Sequence, residues 1–140
     1  MEAYKISAHG AKSIWMAASG SVAAGDPQEV EPLFEKINLS EFVTNGNDEV
    51  YMIRANGDSM EAEISSGDWM VVNRSLQARN GDRIIASVGG SFTVKVFSSR
   101  VSGLHLVASN GNYAPRKMSA KDNFEIFGVV THVLHCFRKN

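Results

Sequence analysis

The sequence predicts a mostly β fold, and three observations carry that prediction. Short runs rich in Val, Ile, Tyr, Phe and Trp recur from Glu49 onward. Gly- and Asn-led turns separate them, and no stretch there sustains the 3.6-residue apolar period of a long helix. Val50–Arg54 is closed by Asn56-Gly57, residues 68–73 are entered through Ser66-Gly67, and Arg83–Val88 follows Asn80-Gly81-Asp82. Gly89-Gly90 then leads into residues 91–97, which reads as a hairpin. Residues 104–108 and Phe124–Leu134 complete the set. The last run is long for one strand, so Gly128 is expected to mark a bulge or bend.

Residues 1–30 have a different texture. Small side chains dominate positions 17–25 and neither period persists, which predicts a flexible N-terminal arm with a short strand or helical turn around residues 12–16. Leu33, Phe34, Ile37 and Leu39 suit a short helix or docking segment over residues 32–42. Residues 31–140 are expected to form one β-rich domain, and there is no internal repeat or low-complexity tract.

Fourteen basic residues against fifteen acidic ones leave a formal charge of −1. With no excess of cations to displace counterions, direct nucleic-acid binding and attachment to an anionic membrane are not expected. One cysteine, Cys136, excludes an internal disulfide framework and fits a reducing cytoplasm. The apolar run Ile14-Trp15-Met16-Ala17-Ala18 is too short for an export signal or a membrane span, so a soluble cytoplasmic protein is expected.

Chemistry is concentrated in two short stretches. Gly57-Asp58-Ser59-Met60 offers a serine on a glycine-led turn, and Phe92-Thr93-Val94-Lys95-Val96-Phe97 sets one lysine in an apolar run. Taken alone, Ser59 suits a turn cap and Lys95 a strand lysine whose stem packs while its head reaches water. Taken together they suit a nucleophile and a general base. In an extended strand Thr93, Lys95 and Phe97 share one face, with Phe92, Val94 and Val96 on the other. Burial of that strand would disfavour the ammonium, and a neutral amine can take a serine proton. The amides of Asp58 and Ser59 on the sharp turn are candidates for an oxyanion hole. The Asp58 carboxylate is not expected to act, because contact with Lys95 would hold the lysine charged.

A substrate for this pair is present on the same chain. Ala23-Ala24-Gly25 carries the small side chains that a shallow cleft accepts, and Gly25 lets the backbone kink into an attack geometry. The alternative is a plain linker. His132, His135 and Cys136 lie on a β-like run where spacings of three and four do not keep to one face. No metal and no cofactor is therefore expected, and Cys136 lacks a neighbouring base.

Several motifs then occur in one order. They are Val22-Ala23-Ala24-Gly25-Asp26-Pro27, Gly57-Asp58-Ser59-Met60, Ile64-x-x-Gly67-Asp68, Phe92-Thr93-Val94-Lys95, Asn110-x-x-Tyr113-x-Pro115 and Phe127-Gly128-Val129-Val130. Across nearly its whole length the chain resembles the self-cleaving LexA/UmuD family, and its short arm makes it most similar to UmuD. The resemblance implies a twisted β-domain of the LexA/UmuD C-terminal kind that forms a homodimer. It implies Ser59 as nucleophile, Lys95 as general base, Asp58 and Ser59 as oxyanion donors, and Ala24–Gly25 as the scissile bond. It further implies an activated RecA filament as co-protease and a UmuC-type subunit as partner of the processed form in SOS translesion synthesis.

Two departures from the family pattern stand out. The spacing from Ser59 to Lys95 is one residue short, which a trimmed loop near Val88-Gly89-Gly90 would explain. Glu61-Ala62-Glu63 lacks the usual Gly or Pro before the isoleucine. Two rival readings remain: a type I signal peptidase, which shares a Ser-Met turn and a lysine base but needs a membrane-binding surface, and a non-catalytic dimeric regulatory subunit. A Lys95→Ala variant separates the last from an enzyme.

Overall fold

The structure is a computed structural model that describes residues 1, 3–6, 14–17, 25–27 and 34–138, with the backbone alone for 14–17 and 34–37. The chain divides into two compact units, Met1–Ile6 with Asp48–Asn140, and Ser7–Asn47.

In the smaller unit, β2 (Ile14–Ala17) and β3 (Phe34–Ile37) form an antiparallel pair. They precede α1 (Leu39–Thr44). The short helix starts where the Asn38 side chain accepts the Glu41 amide, and ends at Asn45, which adopts the left-handed conformation that asparagine tolerates. Residues 32–42 thus hold a strand and the start of a helix, whereas one short element is expected from their apolar spacing.

The larger unit is an eight-stranded antiparallel sheet. Its strands are β1 (Ala3–Lys5), β4 (Val50–Arg54), β5 (Trp69–Asn73), β6 (Arg83–Val88), β7 (Ser91–Arg100), β8 (Gly103–Val107), β9 (Arg116–Lys117) and β10 (Phe124–Leu134). The spatial order is β1-β4-β5-β10-β6-β7-β8-β9, so the C-terminal strand sits in the middle. A 3₁₀ turn, Ala120–Asp122, leads into β10. The fold is the mostly β domain that the sequence predicts.

Both faces of the sheet are covered, which the two-residue period of the strands makes possible. Ile53, Met60, Ile64, Met70, Val72 and Ile85 form one buried cluster. Ile84, Ala86, Leu106, Met118 and Val129 form the other. Ile84 and Ile85 are neighbours on β6 and point to opposite clusters, as do Val129 and Val130 on β10. Burying each such side chain is worth roughly 1.5–3 kcal/mol. β7 is held between the two, with Val94 and Val96 against the first cluster and Phe97 against the second.

Two details fix register near the site. Between β6 and β7, Val88 pairs with Ser91, leaving Gly89-Gly90 as a two-residue loop with φ of 57° and 84°. Positive φ at both positions is the type I′ pattern that matches strand twist. On β10 the pairing with β6 shifts between Ile126 and Gly128, as the long run with its glycine predicts. At Gly128 a Cβ would lie 2.7 Å from Val72 Cγ1 and 3.0 Å from the Asn73 carbonyl oxygen, so the strand passes closer than any side chain allows.

Candidate active site

After β4 the chain leaves the sheet at Ala55 and turns through Gly57, whose φ of 97° a side chain would resist. The following turn is tight: Glu61 N donates to the Asp58 carbonyl at 3.0 Å, and Ile64 N to the Met60 carbonyl at 2.6 Å. Met60 and Ile64 are almost fully buried in the first core cluster. These two apolar plugs seat the turn on the sheet, and Ser59 is left half-buried at its rim. The amides of Asp58 and Ser59 donate to no acceptor among the described residues.

Lys95 approaches from β7, where it pairs with Ile84 of β6. Its Nζ lies 2.7 Å from Ser59 Oγ, and donates to Thr93 Oγ1 at 2.9 Å and to the Val94 carbonyl at 3.1 Å. A neutral amine has two N–H bonds and one lone pair. With Thr93 and Val94 taking the N–H bonds, the lone pair is left for the Ser59 hydroxyl proton. Burial pushes the Lys95 pKa below its ordinary value, because the flanking apolar side chains cannot solvate an ammonium. The half-buried lysine head is thus held against the serine by direct contact.

The Asp58 carboxylate is engaged elsewhere. Tyr113 Oη donates to Asp58 Oδ1, and this bond raises the Tyr113 pKa above its ordinary value. Asn110, three residues earlier on the β8–β9 connection, donates from Nδ2 to the Asp58 carbonyl at 3.0 Å and from its amide to the Ser59 carbonyl at 2.9 Å. Ser109 N donates to Met60 Sδ at 3.3 Å. Thr93, Asn110 and Tyr113 thus belong to the site. Thr93 carried a signal in its place two residues before Lys95 on the same face. Asn110 and Tyr113 stood in a motif without an assigned role.

A cleft of about 410 Å³ opens beside Ser59. Ile53, Ala55, Met70 and Ile85 form its apolar floor, and residues 90–94 of the turn and β7 form one wall. Over Ser91–Val94, β7 pairs with β6 on one side only, since β8 joins it from Val96 onward. Of the expected cleavage pair, Gly25 is described and belongs to the smaller unit, whereas Ala24 lies outside the described residues. Among the described residues no three His, Cys, Asp or Glu side chains converge as metal ligands. His135 Nδ1 is 2.6 Å from Asp68 Oδ1 and His132 Nδ1 is 2.9 Å from Thr131 Oγ1, so the two rings are committed to different partners.

The departures from the family pattern have structural counterparts. The two-glycine turn sets the register that pairs Lys95 with Ile84, and the shorter spacing still ends in a 2.7 Å contact. The acidic Glu63 is held by Arg83, whose Nε donates to Glu63 Oε2 at 2.8 Å, and this pairing lowers the Glu63 pKa.

No helix among the described residues is long and apolar enough to cross a membrane. Residues 17–131 match the model of the Peptidase S24-like family. Among curated proteins the chain is 37% identical over 122 residues to the LexA repressor of Syntrophobacter fumaroxidans, covering 86% of this chain and 58% of that protein. It is 35% identical to the LexA repressor of Corynebacterium efficiens over 82% of this chain and 49% of that one. For the LexA repressor of Leifsonia xyli subsp. xyli the identity is 36%, with 82% and 50% covered. The chain spans about half the length of the curated relatives it matches. With four-fifths of its residues inside the family match, the chain belongs to the Peptidase S24-like family, in the company of the LexA repressors.

Proposed function

We propose that this chain is a serine peptidase with a Ser59–Lys95 dyad that cuts its own Ala24–Gly25 bond. The observation that carries the reading is the 2.7 Å contact between Lys95 Nζ and Ser59 Oγ, with the other polar partners of Nζ already supplied by Thr93 and Val94.

The chemistry follows from that contact. Lys95 takes the hydroxyl proton as Ser59 Oγ bonds to the Ala24 carbonyl carbon, and the amides of Asp58 and Ser59 receive the developing oxyanion. Collapse of the tetrahedral adduct breaks the C–N bond, and the lysine passes its proton to the departing Gly25 nitrogen. Water, deprotonated by the same amine, then hydrolyses the Ala24 ester and restores Ser59. The bond lies in the expected arm of residues 1–30, while β1 within that range joins Asp48–Asn140 in the unit that holds Ser59 and Lys95.

Regulation and partners rest on the LexA/UmuD resemblance. An activated RecA filament would favour the arm-in-cleft state, shifting an equilibrium and leaving the chemistry unchanged. A homodimer and a UmuC-type polymerase partner are inherited from the same resemblance. The curated relatives bear the name LexA repressor, so cleavage, common to both branches, is the core of the proposal.

Intact-mass analysis of the protein held at about pH 10, near the free lysine pKa, tests it. The wild type should yield a fragment beginning at Gly25, and Ser59→Ala and Lys95→Ala should stay whole. If none of the three is cut, even with activated RecA on single-stranded DNA, the non-catalytic regulatory subunit becomes the better reading.

A further inference from the structure

We propose that Asn110 and Tyr113 are positioning residues that aim the Ser59 amide into the cleft by clamping the peptide unit between Asp58 and Ser59. This rests on the reading of Ser59 as nucleophile and adds to it a device outside the dyad.

Peptide planarity sets the direction of the Ser59 amide. A trans peptide holds its C=O and the following N–H on opposite sides of one plane, so fixing the oxygen fixes the direction of the hydrogen. The Asp58 carbonyl oxygen is pinned by two donors, Glu61 N at 3.0 Å from within the turn and Asn110 Nδ2 at 3.0 Å from the β8–β9 connection. The Ser59 N–H must then point away from both, and it donates to no acceptor among the described residues. The next carbonyl, that of Ser59, is held by the Asn110 amide at 2.9 Å. One asparagine therefore grips both carbonyls that bracket the nucleophile.

The grip is itself braced. Asn110 Oδ1 accepts the Asn112 amide at 3.1 Å, which sets the side-chain rotamer, and the Asn110 carbonyl accepts the Tyr113 amide at 3.2 Å. Tyr113 closes the clamp by donating its hydroxyl to the Asp58 carboxylate, so side chain and main chain of Asp58 are held from the same connection. Glycine at position 57 makes such a clamp necessary, because the residue before the turn contributes no side chain to restrict it. The hydrogen-bond partners of Lys95 are Ser59, Thr93 and Val94, and neither Asn110 nor Tyr113 is among them. Their effect should fall on oxyanion geometry and not on the base.

The test uses the full chain as wild type, Asn110→Ala, Tyr113→Phe and the control Lys121→Ala, an exposed residue of the 3₁₀ turn outside the site. Cleavage rate is followed by intact mass from about pH 7 to about pH 11, across the lysine range, alongside thermal unfolding. Asn110→Ala should lower the high-pH plateau by about ten- to a hundredfold, as a small misplacement of a reacting group does. The pH midpoint should stay at the wild-type position and the protein should remain folded at the assay temperature. Tyr113→Phe should lower the plateau less, and Lys121→Ala should match the wild type. An unchanged plateau in Asn110→Ala overturns the clamp, as does a moved midpoint or a rate that merely tracks the folded fraction. Failure of the wild type to cleave overturns the dyad reading itself, whereas a wild type that cleaves beside an equally fast Asn110→Ala overturns the clamp alone.

Discussion

Ile84 and Lys95 face one another across the β6–β7 ladder, and that register is what delivers Lys95 Nζ to Ser59 Oγ, 36 positions earlier in the chain. The two-residue Gly89-Gly90 turn sets the register, since a slip by one residue would send the lysine to the opposite face. Both glycines have positive φ. Changing both to valine should cost roughly 2–6 kcal/mol, the summed strain of two side chains in that region. Gly89→Asn should be tolerated, because Asn-Gly is favoured in this turn type. Thermal unfolding of the three proteins checks the contrast, and equal losses for both changes would count against the turn assignment.

Lys95 makes a prediction about pH. Its folded pKa lies below the unfolded value of about 10.4, because burial disfavours the charge. The cleavage rate should therefore rise with pH and level off before that value. Stability follows the same direction as the rate. Between the folded and unfolded pKa values the unfolded chain holds more protons, so stability rises with pH through that window. Below it, both states are protonated and the folded one bears the full desolvation cost. Urea midpoints of Ser59→Ala against Ser59→Ala/Lys95→Met should converge as pH climbs, and a constant gap would refute the burial effect.

Asp68 is nearly buried, and its carboxylate accepts the Ser65 amide at 2.8 Å while facing His135 Nδ1 at 2.6 Å. His135 in turn stacks edge-on against Phe137, with centroids 4.9 Å apart. Removing the ring by His135→Ala leaves one oxygen of a buried acid without its partner, a loss of about 1–2 kcal/mol given the exposure of the imidazole. A urea titration at neutral pH measures it. No change in midpoint would mean that water replaces the histidine without loss.

Gly128 and Ser109 predict opposite signs. Gly128→Ala places a methyl 2.7 Å from Val72 and against the Asn73 backbone, an overpacking of roughly 1–3 kcal/mol. Ser109 Oγ is buried with no hydrogen-bond partner among the described residues. Ser109→Ala should therefore be neutral or stabilising by up to about 1 kcal/mol, since it removes an unsatisfied hydroxyl. Calorimetric melting of the two variants would show the split, and a destabilised Ser109→Ala would reveal a hidden partner.

The strands of the larger unit were legible because each is a local pattern of β-branched and aromatic residues between turn signals, and the bulge at Gly128 was legible from run length and a lone glycine. The edge strands were not. Ala3–Lys5 and Arg116–Lys117 are too short to show a period, and they are strands only because a neighbour supplies a ladder. The same is true of Phe34–Ile37, whose apolar spacing suits a helix as well as a strand. For the site, residue types and order indicated Ser59 and Lys95. The grip of Asn110 on the turn was invisible, because it depends on a contact across 52 positions that no local pattern encodes.

β1 pairs with β4, and Ile6 N donates to the Val50 carbonyl at 2.9 Å, so the chain departs from one edge of the sheet at Ile6 and rejoins it at the adjoining strand. The β1–β4 pairing thus closes the chain between Ile6 and Val50 into a ring, which any cut between them would open. Before the cut, β1 is tethered to its partner strand through the polypeptide, and its three-residue pairing need only outweigh loop closure. After the cut that pairing becomes an association between two separate peptides, which must also bear the loss of translational freedom. One broken bond in that ring, far along the sequence from β1, would convert an intramolecular edge strand into a dissociable ligand of β4.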